Sequence, residues 1–235
     1  MVHPIQEQLY LFGGTKPWDA TQWTAVDDRV RGGASQSYLL VSPPNSTGHF
    51  TGSLDIKTLG GAGFASQKTV FTPALDLSSY EGLAVEIQTA NTKTYTLILK
   101  DGEDLPKRPD GRLQSTVSWE YDFALKEGDH DVRVVVPWAE LKPTYRGRPK
   151  DDAEPLDLSK LRNLSIMMRS HFGEQEGDIN LTIRSIAAYR FRDGDDESDS
   201  EDEVEKEKGS VQDRKPERAG RSWYDCFLDM FRGWR

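Results

Sequence analysis

Short runs in which apolar and polar residues strictly alternate, each closed by turn residues, decide what this chain can fold into. From Val117 to Phe123, Val117, Trp119, Tyr121 and Phe123 fall on one side, and Ser118, Glu120 and Asp122 on the other. A period of two is the mark of a strand with one buried face, because successive side chains point to opposite sides of the pleat. Leu83, Val85 and Ile87 alternate in the same way, as do Tyr95, Leu97 and Leu99 and then Val132, Val134 and Val136. Further such runs hold Leu164, Ile166 and Met168, and Ile179, Leu181 and Ile183. Between them lie Pro43-Pro44-Asn45, Gly60-Gly61, Asp101-Gly102, Pro109-Asp110-Gly111 and Glu127-Gly128-Asp129, all turn chemistry. Before residue 220 no window carries a convincing helical apolar period, and no strand alternates with a helix. Many short strands with regular turns predict an all-β sandwich or barrel and argue against a doubly wound parallel sheet.

One local pattern occurs twice. Leu75-Asp76-Leu77-Ser78 leads into the run at Leu83, and Leu156-Asp157-Leu158-Ser159 into the run at Leu164. Asp and Ser bond nearby backbone amides in turns, so the repeat predicts two equivalent starts, as two facing sheets would have.

The acidity of the chain is local. Residues 193–208 hold ten acids and two lysines, a net of −8 in a chain of −9, and residues 209–235 return +2. The first 192 residues are therefore only weakly charged, at −3, which gives no support for nucleic-acid binding. A segment so rich in charge and poor in apolar groups cannot offset its ordering entropy. The expected organisation is a sandwich over 1–192, an acidic disordered linker over 193–221, and an amphipathic peptide over 222–235. In that peptide Trp223, Phe227, Phe231 and Trp234 fall at helical spacing, so it is read as a short helix that docks on a partner, on a membrane surface or back on the sandwich. Ser198 and Ser200 each have an acid three residues on, which suits an acid-directed kinase; the alternative is an unmodified solubilising linker.

Catalytic signatures are missing. The chain has no G-x-S-x-G, no phosphate loop, no H-E-x-x-H and no dinucleotide fingerprint. Gly60-Gly61-Ala62-Gly63 lacks the lysine and helix of a phosphate loop. His3, His49, His130 and His171 are scattered, and Cys226 is the only cysteine. We expect no catalytic residue, no metal, no cofactor and no disulfide, in a reducing compartment.

Three polar or aromatic groups stand out. Asp27, Asp28, Arg31, Gly32, Gly33 and Ser35 lie between two strands. They read either as a partner-contacting loop or as a turn whose aspartates bond its own amides. Arg146, Gly147 and Arg148 read either as a partner-contacting loop or as a solvated one. Trp18, Trp23, Trp119 and Trp138 are either core or platforms on which a sugar ring could stack.

The ordered set of motifs carries a resemblance. W-T-A-V-D-D-R-V-R-G-G-A-S-Q-S at Trp23–Ser37, F-T-G-S-L at Phe50–Leu54 and G-G-A-G-F-A-S at Gly60–Ser66 come first. L-D-L-S-S-Y-E-G-L at Leu75–Leu83 and P-T-Y-R-G-R at Pro143–Arg148 follow. Together they resemble the complex I intermediate-associated protein family. The resemblance implies a galactose-binding-like jelly-roll sandwich and a non-enzymatic, chaperone-like role in assembling mitochondrial NADH:ubiquinone oxidoreductase. Its protein partners would be assembly intermediates or other assembly factors, reached through the two loops above and the C-terminal peptide. Any membrane association would run through the partner or weakly through that peptide. No presequence is visible at the N-terminus, so a cytoplasmic location is the alternative to a mitochondrial one. The rival functions are a carbohydrate-binding module and a cytosolic adaptor acting through its tail.

Overall fold

The computed structural model describes residues 5–42, 47–102, 109 and 114–191. Among them the chain forms strands β1 (Ile5–Gly13), β2 (Trp23–Ala25), β3 (Gln36–Ser42), β4 (Thr47–Leu54), β5 (Phe64–Leu75), β6 (Gly82–Ala90) and β7 (Thr94–Asp101). Then come β8 (Ser118–Ala124), β9 (His130–Pro137), β10 (Lys142–Tyr145), β11 (Arg148–Pro149), β12 (Leu161–Arg169) and β13 (Gly177–Phe191). Two sheets result. One has the order β3-β4-β13-β6-β9, with β1 also paired to β13; the other runs β11-β10-β8-β7-β12-β5-β2. The pairings are antiparallel throughout. The fold is the all-β two-sheet sandwich that the alternation predicts.

The alternating apolar residues meet between the sheets. Leu83, Val85 and Ile87 of β6, with Leu181 and Ile183 of β13 in the same sheet, share one buried core with Leu97 and Leu99 of β7 and Leu164, Ile166 and Met168 of β12 in the other. Two aromatic clusters fill it. Phe12, Trp18, Trp23 and Phe71 pack with ring centroids 4.9–6.2 Å apart. Phe50 packs on Tyr95 and Tyr95 on Phe123. The Tyr95 hydroxyl is the polar handle of that second cluster: it donates to Asn91 Oδ1 at 2.5 Å and accepts from the Asn180 N–H at 3.1 Å. Burial pushes its ionisation up to about 12, so it stays a neutral donor.

The repeated L-D-L-S pattern proves to be one device used once per sheet. Asp76 Oδ1 accepts from the Ser78 N–H and hydroxyl, and Asp157 Oδ1 from the same two groups of Ser159. Those hydrogen bonds hold both carboxyls below their ordinary range. The first copy feeds β6 in one sheet and the second feeds β12 in the other. The two copies also touch, through Leu77 N–H to Leu158 O at 2.8 Å.

On β8, Phe123 is buried, while Trp119 and Tyr121 are half-buried against the core. Trp119→Ala should therefore cost about 2–3 kcal/mol, below the range for a fully buried tryptophan. Urea denaturation measures it, and an unchanged midpoint would place this face on the outside.

Candidate functional site

The motif loop between β2 and β3 owes its form to two adjacent carboxylates. Asp28, 1% exposed, accepts from the Ser35 N–H (3.1 Å), the Ser35 hydroxyl (2.6 Å) and the Phe64 N–H (3.1 Å). Asp27, 7% exposed, accepts from the Ser37 N–H (3.1 Å), the Ser37 hydroxyl (2.6 Å) and the Ser66 N–H (3.0 Å). Each aspartate thus repeats the same three bonds, one step of two residues apart on each side. Ser35 and Ser37 enter β3 of the first sheet, and Phe64 and Ser66 belong to β5 of the second. The pair clamps the two sheets together at one end of the sandwich. Gly33 is required there because a Cβ would stand 2.2 Å from Asp28 Oδ1, and Gly63 because a Cβ would stand 2.3 Å from the Asp55 carbonyl oxygen.

Three loops meet above the clamp. In the first, Gly32 turns the chain in the left-handed region at φ +85°, and Val30 and Arg31 are left exposed. The Arg31 guanidinium lies 5.5 Å above the Phe64 ring, in cation–π range. In the second, Gly60 is exposed and Gly61 is half-buried. The third, between β12 and β13, carries Phe172 at 86% exposure. His171 and Phe172 both take positive φ, 45° and 62°, a conformation that costs bulky residues free energy and is kept only where the surroundings impose it. The surroundings do. The Ser170 N–H donates to Gly63 O, and Ser170 O accepts from Gly173, Glu174 and Gln175 N–H. The Gln175 side chain donates to Arg169 O and Thr94 O and accepts from the Thr94 N–H. A bulky aromatic is thus held out in water on a turn that these hydrogen bonds fix.

The patch continues onto the outer face of the second sheet. Arg169 of β12 reaches across β7 to β8, with Nη1 2.5 Å from Glu120 Oε2 and Nη2 2.7 and 2.8 Å from the two Asp122 oxygens. Thr96 donates to Asp122, and Thr144 of β10 donates to Glu120. Burial disfavours the Arg169 cation, but the carboxylates of Glu120 and Asp122 outweigh it and raise its ionisation. His171 is pushed down, by burial first and the Arg169 charge second, so it is held as a neutral imidazole.

Arg31, Gly32 and Gly33 of the motif loop thus reach this rim, whereas Asp27, Asp28 and Ser35 do not. Those three are buried and bonded within the protein, and their bonds position the loop. Arg146, Gly147 and Arg148 lie elsewhere. Arg146 and Gly147, with φ +54° and +75°, form the two-residue turn joining β10 to β11, and Arg146 lies 5.3 Å from the Tyr145 ring. That turn is at the far edge of the second sheet and at the other end of the sandwich, so it shares no surface with Arg31. The tryptophans are committed inward. Trp18 and Trp23 are buried, and Trp119 and Trp138 pack half-buried on the core, Trp138 Nε1 donating to Tyr80 O. Ser198, Ser200, Trp223, Phe227, Phe231 and Trp234 lie outside the described residues. Phe172 and Arg169 were not singled out from the sequence, where they read as a loop residue and a strand end.

Among the described residues no three His, Cys, Asp or Glu side chains gather as metal ligands, and no helix is long and apolar enough to cross a membrane. Known proteins resemble the chain at two levels. An uncharacterised protein of Schizosaccharomyces pombe, C9E9.15, is 43% identical over 184 residues, covering 77% of this chain and 83% of that one. The family 11 carbohydrate-binding module of the cellulosomal cellulase Lic26A-Cel5E of Clostridium thermocellum has a similar structure. Its TM-score is 0.55 at 10% identity, covering 80% of this chain and 98% of the module; this likeness is one of fold. Residues 11–183, which span both aspartates of the clamp, the glycine loop and the Phe172 turn, match the family described as complex I intermediate-associated protein 30 (CIA30), and the chain belongs to that family.

Proposed function

We propose that the protein is a non-enzymatic assembly factor for NADH:ubiquinone oxidoreductase, acting in mitochondria on partly built intermediates of that complex. Family membership over residues 11–183 carries the reading. The rim is the surface that fits it. Phe172 and Arg31 supply an exposed aromatic and an exposed forked cation on hydrogen-bonded loops, side-chain types enriched at protein interfaces. Phe172 inserts into the intermediate, Arg31 meets a carboxylate or a backbone carbonyl, and Asp27 and Asp28 hold the loop that presents Arg31.

Deleting the gene and resolving respiratory complexes on native gels tests the proposal. Assembled complex I should fall, with an intermediate accumulating. Wild-type protein should restore it, and Phe172→Asp should not, while melting like wild type because the side chain is already in water. Loss of one hot-spot aromatic corresponds to about 2 kcal/mol, or some thirtyfold in affinity. Unchanged complex I in the deletion would sink the proposal.

A further inference from the structure

A sheet edge is a row of unpaired N–H and C=O groups, and proteins normally blunt it with shortness, charge, proline or a bulge. Four edge strands of this sandwich follow that rule. β2 has three residues, and β11 has two, one of them Pro149. β9 carries Asp131 and Arg133 and ends on Pro137. The register of β1 against β13 is broken twice. β3 follows none of it. Its sequence QSYLLVS has no charge and no proline, and it pairs with β4 in unbroken register from Gln36↔Ser53 to Ser42↔Thr47. Among the described residues no strand pairs with its other side, where Asp27 takes the Ser37 N–H. Tyr38 and Leu40, both on its outward face, are each 53% exposed.

This edge is also recessed. A groove of about 300 Å³ runs along it, and five consecutive residues, Gln36 to Leu40, line that groove. In a strand, consecutive residues point to opposite faces, so only the backbone edge can present all five. Ala20, Trp23, Ala25, Asp27, Arg29 and Gln67 complete its lining. Trp23 is 7% exposed, and its Nε1–H is buried without a hydrogen-bond partner. The other core tryptophan, Trp18, donates its own N–H to Arg184 O. An orphaned buried donor calls for an explanation, and an acceptor arriving in the groove supplies one.

We propose that β3 takes up an extended segment of a protein partner as an added strand. Main-chain hydrogen bonds to the β3 edge give the affinity, as in other cases of strand addition. A partner carbonyl accepts from Trp23 Nε1–H. The segment is apolar at alternate positions, to lie against Trp23, Ala25 and Leu39, and it carries an acid where it passes exposed Arg29. A walled groove admits one extended chain more readily than the edge of a second folded sandwich, which argues against self-pairing. The inference rests on the strand edge alone and holds whether or not the partner belongs to complex I.

The test selects short random peptides displayed on phage against the full chain. The expected consensus alternates apolar residues and contains an acid. A synthetic peptide of that consensus should slow amide exchange at Leu39 and Val41, the outward amides that Asp27 leaves open, and shift the Trp23 indole N–H resonance. Leu40→Lys, a surface change that should leave melting intact, should weaken binding about tenfold or more, and Trp23→Phe should weaken it by a similar factor. Phe172→Ala should leave it unchanged, which separates this edge from the rim. Enrichment without alternation, protection away from β3, or binding indifferent to Leu40→Lys would overturn the proposal. So would a free chain that sediments as a dimer and becomes monomeric with Leu40→Lys, because the occupant would then be a second copy.

Discussion

Replacing Asp28 by alanine should remove about 4 kcal/mol of stability, a large share of what a domain of this size has. The substitution deletes three hydrogen bonds to one carboxylate and leaves the Ser35 N–H and the Phe64 N–H buried with no acceptor in place. The Ser35 hydroxyl keeps its two bonds to Asp55, donating to Asp55 O at 3.3 Å and accepting from the Asp55 N–H at 3.0 Å. Each orphaned buried donor costs about 1–3 kcal/mol, and the relief of desolvating an anion offsets part of that sum. Asp27→Ala should behave alike, because its three bonds repeat the pattern. Gly33→Ala should approach the same loss with the aspartate still present, since the new methyl collides with its carboxylate. Urea denaturation of the three variants is the measurement. A loss below about 1 kcal/mol for Asp28→Ala would mean that the clamp is not what joins the sheets.

The charged array on the second sheet predicts a different signature. Glu120 is 7% exposed and bonded to Arg169 at 2.5 Å. Breaking such a pair from one side strands the other charge, which typically costs about 3–5 kcal/mol. Arg169 keeps Asp122 and some contact with water, so Glu120→Leu should cost about 3 kcal/mol. Arg169→Leu should cost as much, because it removes the cation bonded to Glu120 and leaves the carboxylate the Thr144 hydroxyl and the field of Lys100. The double variant should recover at least half of the summed loss, since no buried Glu120–Arg169 charge is then left alone. A double-mutant cycle reads this directly. Additive losses would mean that the two side chains act independently despite their contact.

How much of this was legible beforehand follows from the range of each interaction. The strand faces were, because alternation is a nearest-neighbour property: the inward direction of Trp119, Tyr121 and Phe123 needed only their own spacing. The aspartate turns of the L-D-L-S pattern were legible for the same reason, their bonds spanning two residues. The ambiguity at Asp27 and Asp28 was genuine, since a carboxylate looks the same in sequence whether it faces a partner or the amides of Phe64 and Ser66, some 36 to 39 residues away. The Arg169–Glu120 pair joins residues 49 apart and breaks the simple rule that the polar side of an alternating strand is wet. Phe172 carried no signal. A bulky residue before a glycine gives no hint of positive φ, which the bonds around Ser170 and Gln175 impose.

The pairing of β1 with β13 also bears on when this domain can exist. β13, fifteen residues long, pairs with β1, β4 and β6, so the first strand made waits for the last. Until Gly177–Phe191 has emerged, one sheet lacks its central strand, and the edges of β4 and β6 meant for it stand open. Such far-separated pairing folds slowly and keeps the nascent chain exposed to aggregation.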